Sequence, residues 1–258
     1  MDLRIKGKRA LVLGSTGGLG AASAHALAAE GCAVAVCGRQ EERVLTMAAE
    51  LPGAAVGIPV DLTEPRAADT LVEAAQRHLG GVDILVLNGP GPRPGTAADL
   101  DPDTLTDILD PLLDVHVRLV RALLPAMRAA GWGRVVAIGS SGVAAPLPNL
   151  AASNVGRWAL AAYLKTLAAE VAADGVTVNM VLPGRVATDR IARLDEAAAE
   201  RSGTDVETVR DASRADIPAR RYGSPEEFGD VVAFLASARA SYVTGSAVRV
   251  DGGLVRAL

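Results

Sequence analysis

Ala10-Leu11-Val12-Leu13-Gly14-Ser15-Thr16-Gly17-Gly18-Leu19-Gly20, running on through Ala21 to Glu30, is the stretch that decides the architecture. The apolar run suits a short strand buried on both faces, the glycine-rich segment a tight turn, and the alanine-rich stretch a helix. A second apolar run, Ala33 to Cys37, completes a βαβ unit. In such a unit the glycines let backbone N–H groups approach a pyrophosphate at the positive end of the helix, where side chains would block contact. A lone glycine motif is weak evidence, but here it sits between strand and helix with a second strand behind it.

The same alternation continues outward. Further short apolar strands are expected at Ala55 to Ile58, Ile84 to Leu87, Val135 to Ile138, Thr177 to Leu182 and Ala247 to Val250. Helices fall between them, including one long helix through Leu112 and Met127 and another from Leu150 to Ala173. Ser224-Pro225-Glu226-Glu227 carries the signature of a helix start, with an N-cap serine, a first-turn proline and a capping-box glutamate. No repeat or linker interrupts the pattern. The expectation is one α/β domain over residues 1–258, a doubly wound seven-stranded parallel sheet with helices on both faces, the Rossmann arrangement.

Composition agrees with one catalytic domain. The chain has 258 residues, half of them hydrophobic, enough for a large core. A net charge of -4 gives no general attraction to nucleic acid. No apolar run is long enough to span a bilayer, and Met1 to Lys6 lacks a signal-peptide core, so a cytoplasmic protein without a membrane partner is expected. Cys32 and Cys37 are too few for a disulfide framework and lack metal-ligand spacing. They read as buried and inert, and no metal site is expected.

These pieces resemble the short-chain dehydrogenase/reductase family over essentially the whole chain. The resemblance rests on Gly14, Gly18 and Gly20, Asp61-Leu62 after the third strand, Asn88-Gly89 after the fourth, Ser140 after the fifth, and Pro183-Gly184 through Thr188 after the sixth. The C-terminal stretches Ile217 to Glu227 and Ala240 to Gly253 resemble those of 3-oxoacyl-carrier-protein reductase-like members. The resemblance implies that Gly14, Thr16 and Leu19 line the pyrophosphate, Asp61 and Leu62 the adenine, and Asn88 and Gly89 the adjoining ribose. Pro183, Gly184, Val186 and Thr188 would then line the nicotinamide, and each of these positions lies at the carboxyl end of a strand. NAD-specific members place a carboxylate after the second strand, whereas this chain reads Cys37-Gly38-Arg39 and offers a guanidinium suited to a 2′-phosphate. NADP(H) is therefore favoured. Gly17 stands where NADP-using relatives are often basic, and the plainer reading of Arg39 is solvation of the strand end.

The family's acid-base residues are a serine, a tyrosine, a lysine and an asparagine. Alignment of the fifth strand and the following helix places Ser140 at the serine, Ser153 at the tyrosine and Arg157 at the lysine; Leu112 falls at the asparagine. No shifted register restores the tyrosine: four residues after Tyr163, Tyr222 and Tyr242 stand Leu167, Glu226 and Ser246. Ser153-Asn154-Val155-Gly156-Arg157 keeps a hydroxyl and a cation one turn apart on one helix face. Arg157 is suited to the ribose hydroxyls but not to proton transfer, because guanidinium stays charged. The chain resembles a subgroup that pairs a Ser-Asn-x-x-Arg helix with a Gly/Pro-rich loop, here Asn88 to Gly95. His116 either points toward this site or belongs to the core.

Three functions remain open. The first, which we favour, is an NADPH-dependent oxidoreductase acting on a carbonyl, imine or conjugated small molecule. The second is a non-redox enzyme on the same fold, for isomerisation, dehydration or bond formation, and the third a non-catalytic NADP-binding protein. Arg93 and Arg185 are the nearest candidates for substrate contacts, and Asp189 to Asp216 is expected to form a substrate lid, whose arginines either attract an anion or merely solvate it. The resemblance also implies self-association as a tetramer or dimer through two long helices, with Ala159, Ala162, Leu167 and Val171 on the shared face.

Overall fold

A computed structural model describes residues 1–256. Seven strands, β1 (Arg9–Val12), β2 (Ala33–Gly38), β3 (Ala55–Pro59), β4 (Ile84–Leu87), β5 (Gly133–Ile138), β6 (Val176–Pro183) and β7 (Ala247–Val250), form one sheet in the order β3-β2-β1-β4-β5-β6-β7. Every pairing is parallel, as in Ala10 opposite both Val34 and Ile84. Strand order reverses between β1 and β4, which opens a crevice at their carboxyl ends, the usual ligand position in such sheets.

Side-chain alternation along each strand divides the core into two layers. Leu11, Leu85 and Leu87 face one side, where they pack with Leu71 of α3 (Ala67–Leu79), Leu119 of α5 (Val115–Ala129) and Leu164 of α6 (Ala151–Val171). Val12, Val34 and Val86 face the other, against Leu27 of α1 (Gly18–Ala29), Val44 of α2 (Glu41–Glu50) and Phe228 of α9 (Pro225–Leu235). The start of α9 is the expected one: Ser224 Oγ accepts from Glu227 N, and the Glu227 carboxylate accepts from Ser224 N.

Three expectations need correction. The helix through Leu112 is not continuous: α4 (Pro102–Leu109) passes into a π-turn over Asp110–Asp114 before α5 begins. Pro111 explains the break, because it has no N–H for the preceding turn and its ring crowds that turn's carbonyl. Strand β5 starts at Gly133, ahead of the apolar run, and buries Arg134, whose guanidinium donates to the Ser237, Gly133 and Gly175 carbonyls. Leu167 and Val171 are not on an outward face but lie in the core beside β6; only Ala162 of the four is exposed, with Ala159 half-buried.

Among the described residues no helix is long and apolar enough to cross a membrane, and no group of three or more His, Cys, Asp or Glu could hold a metal ion. Cys32 and Cys37 are buried, and burial raises both thiols to about 12, far from the thiolate form.

Candidate active site

The turn after β1 is shaped by its glycines. Gly14 and Gly18 have φ of 53° and 56°, left-handed backbone that side chains disfavour. A Cβ on Gly20 would stand 2.3 Å from Gly14 O, so this glycine serves the close seating of α1 on the strand end. Ser15 Oγ donates to Val12 O and accepts from Cys37 N, and Asn88 Nδ2 donates to Gly14 O at 3.1 Å. The turn is thereby fixed to β2 and β4. Leu19 is half-buried at the first turn of α1, and Thr16 lies against Gly38, where a Cβ would approach its methyl to 2.7 Å.

Arg39 is exposed just beyond β2 and has no hydrogen-bond or ion-pair partner among the described residues. It is not the only cation there. Arg43, one turn into α2, places Nη2 3.9 Å from where a Cβ on Gly17 would stand. Nothing local in the sequence singles out Arg43, because only the fold brings α2 over the glycine turn.

Around the crevice, Asp61 accepts from Thr63 N and Oγ1, and Leu62 is buried in the core, so it offers a ligand only backbone. Pro183 ends β6 and Gly184 follows it; a Cβ on Gly184 would meet Asp251 Cα at 2.7 Å. Val186 is buried and bridges Gly223. Thr188 caps α7 (Asp189–Ser202), and its side chain faces Gly18 of the glycine turn.

The catalytic end is built by β5, α6 and the Gly/Pro loop. Ser140 Oγ accepts from Gly142 N at 3.0 Å, which leaves its own proton free to donate. Asn154 clamps the segment after β5, accepting from Leu147 N and donating to Leu147 O, and Trp158 Nε1 donates to Gly142 O. The asparagine of the Ser-Asn-x-x-Arg sequence thus holds the loop that carries Ser140. Ser153 and Arg157 are each 8% exposed. Ser153 Oγ has no side-chain partner among the described residues, whereas Arg157 Nη1 donates to Ile138 O at 2.5 Å. Burial lowers the Arg157 pKa to about 10, with the charge of Arg190 adding to the effect, so the guanidinium stays cationic at neutral pH. Leu112 fills the notch over Gly156, where a Cβ would come within 2.7 Å of it.

His116 is fully buried beside Gly89. Its Nδ1 lies 3.1 Å from Leu112 O, so the neutral ring carries its proton there and Nε2 has no partner among the described residues. The Asn88 carbonyl would accept from a protonated ring, but desolvation and then the charge of Arg157 prevail and lower the pKa to about 4.

The expected lid consists of α7 and α8 (Val206–Asp216). Asp195, 1% exposed, anchors it: the carboxylate accepts from Arg185 Nη1 at 2.6 Å and Tyr222 OH at 3.0 Å, with Arg210 at 4.0 Å. Arg185, expected to reach substrate, has its Nη1 engaged by the lid anchor, and Arg93 is exposed on the Gly/Pro loop with no partner among the described residues. No local sequence signal marks Asp195, because its partners come from distant segments. Arg190 crosses to the loop and donates to Gly91 O and Pro92 O.

Known proteins are similar to this chain in sequence and in fold. A family model described as enoyl-(acyl carrier protein) reductase matches residues 14–255. The chain is 33% identical over 254 residues to the 3-oxoacyl-acyl-carrier-protein reductase FabG of Escherichia coli, covering 98% of this chain and 99% of FabG. The chain belongs to the short-chain dehydrogenase/reductase family. This short-chain dehydrogenase/reductase is also 34% identical to the uncharacterized oxidoreductase YvrD of Bacillus subtilis, with 100% of both chains covered. Its fold matches a crystal structure of L-sorbose reductase from Gluconobacter frateurii complexed with NADPH and L-sorbose, with a TM-score of 0.94, 32% identity and 100% of both chains covered.

Proposed function

We propose that this short-chain dehydrogenase/reductase is an NADP(H)-dependent reductase of a small molecule that works without the tyrosine and lysine. The cofactor is NADP(H). The residues present fit it: the glycines leave a cradle at the start of α1, Arg39 and Arg43 stand at the end of β2, and Thr188 faces the turn from α7. L-sorbose reductase, so similar in fold, binds NADPH. Gly14, Thr16, Gly18 and Leu19 would hold the pyrophosphate, Asp61 and Leu62 the adenine, and Asn88 and Gly89 the adjoining ribose. Pro183, Gly184, Val186 and Thr188 would hold the nicotinamide, with Arg157 on its ribose.

The observation that carries the reading is Ser140. Its oxygen is already held by Gly142 N, so its hydroxyl proton is directed elsewhere, toward a substrate carbonyl or imine nitrogen. When bound, NADPH supplies hydride. Arg157 provides a fixed positive charge one turn from Ser153, and such a charge stabilises an anion that forms as hydride arrives. Neither Arg157 nor Ser153 is a competent general acid near neutral pH. A conjugated carbonyl suits this site best: hydride adds to the β-carbon, the enolate spreads its charge, and solvent water supplies the proton to the α-carbon. An iminium also needs no proton, because hydride alone neutralises it, but the fixed charge of Arg157 works against binding a cation.

The test is NADPH oxidation, followed by absorbance, across matched ketones, enones and cyclic iminium salts. Enones or iminiums should turn over at least 10²-fold faster than unactivated ketones, the range in which a missing general acid is felt. Ser140→Ala should slow the enone reaction, and Ser153→Ala should lower turnover modestly. Tight NADPH binding with no oxidation in any class would overturn the reading.

A further inference from the structure

The catalytic end of the crevice holds positive charge that no carboxylate among the described residues balances. Arg157 is buried with a single protein acceptor, the Ile138 carbonyl, and its remaining N–H groups have none among the described residues. Arg190 is held by carbonyls alone, Gly91 O at 3.2 Å and Pro92 O at 3.4 Å, both long for a guanidinium. It lies so flat on Gly91 that a Cβ there would stand 2.0 Å from its Cζ. The charge of Arg190 is felt at Arg157, and that of Arg193 at Arg190. None of the three forms an ion pair among the described residues, and neither does Asp189, next in sequence to Arg190. The nearby arginines that do find acids are Arg185 and Arg210, both at Asp195.

Arg157 is buried, whereas Arg190 and Arg193 are exposed at the mouth of the crevice; like charges held close together repel one another, and an entering anion relieves that repulsion. The direction of Arg190 says which anion. Thr188, at the start of α7, faces Gly18 and therefore the phosphate cradle. Arg190 turns from there to Gly91 and Pro92, in the loop that continues from Asn88-Gly89 and bridges through Gly95 to Leu150 at the head of the Ser153 helix. Its guanidinium spans the substrate end rather than the phosphate end. A planar fork with weakly held donors matches a carboxylate.

We propose that the substrate carries a carboxylate, which Arg190 takes up as its guanidinium leaves the Gly91 and Pro92 carbonyls, with Arg157 supplying the second positive charge. This rests on the reductase reading for where the substrate lies, so its test reads binding rather than turnover. The NADP⁺-saturated protein is titrated by calorimetry with benzoate, cinnamate, their methyl esters and inorganic phosphate. At least one carboxylate should bind about tenfold more tightly than its ester, the scale of one charge-assisted contact. Arg190→Gln should remove that preference, Arg190→Lys should keep much of it, and neither should change NADP⁺ affinity. The proposal is overturned if acids and esters bind alike, if neither binds, or if phosphate binds more tightly than every carboxylate. It is also overturned if Arg190→Gln weakens NADP⁺ as much as it weakens the acids, since Arg190 would then be a cofactor clamp. Carboxylate binding without hydride transfer to any carboxylate-bearing enone would sink the reductase reading and leave this one standing.

Discussion

At the scale of single residues, charge placed against burial decides most of what this site can do. Arg39 and Arg43 both present guanidiniums at the end of β2, one free and one over Gly17, so the 2′-phosphate of NADPH would meet two cations. We expect NADPH to bind more tightly than NADH by at least tenfold, and Arg39→Ala to remove most of the difference. Arg43→Ala should remove a smaller part. Calorimetry with both cofactors checks this, and equal affinities in the unaltered protein would refute it. His116 makes a second prediction, in stability. Its folded pKa of about 4 lies below the ordinary value of about 6.5, so between these the unfolded chain binds the extra proton. Stability therefore rises with pH across that window and is lost as pH falls through it, by up to about 3 kcal/mol for this one ring. His116→Phe should flatten the change in Tm between pH 6.5 and pH 4.5, and an unaltered slope in that variant would show that other groups dominate acid unfolding.

At the scale of elements, what was legible in the sequence was whatever a local pattern specifies. Short apolar runs between glycine turns match the strands to within about two residues, because the inner strands are buried on both faces and even the half-exposed edge strands β3 and β7 keep a mostly apolar composition. The glycine turn, the capping box at Ser224 and the helix bearing Ser153 and Arg157 are likewise local statements. The π-turn at Asp110–Asp114 was missed although Pro111 announces it, since apolar periodicity alone continues through the break. Arg134 hides within β5 for another reason: its partners, the Ser237 and Gly175 carbonyls, are far away in sequence. The lid anchor at Asp195 has the same character, joining Arg185, Arg210 and Tyr222 from three segments. Arg185 accordingly read as a substrate contact from its place in the chain, while Arg190, whose reach to Gly91 depends on tertiary geometry, read only as one lid arginine among several.

At the scale of the whole molecule, the open question is what covers α6. The helix buries Leu160, Leu164 and Leu167 against the sheet but leaves Val155 and Trp158 41% and 49% exposed, and Trp158, Ala161, Ala162 and Lys165 line a groove with Gly245 and Ala247 beside β7. Trp158 is not free to rearrange, because its Nε1 holds Gly142 O in the loop that carries Ser140. An exposed tryptophan fixed in place, flanked by small and apolar residues, is the kind of anchor on which a self-complementary interface forms. We expect the chain of 26.3 kDa to run as a dimer or tetramer in light scattering at micromolar concentration. Val155→Glu is the better probe of this face, because it adds charge beside Trp158 without removing the bond to Gly142. It should lower the measured mass, and if the α6 contact also steadies the Ser140 loop, turnover should fall with it; an unchanged mass would exclude this face as the contact. A monomeric mass for the unaltered chain would mean that α6 serves only its own core.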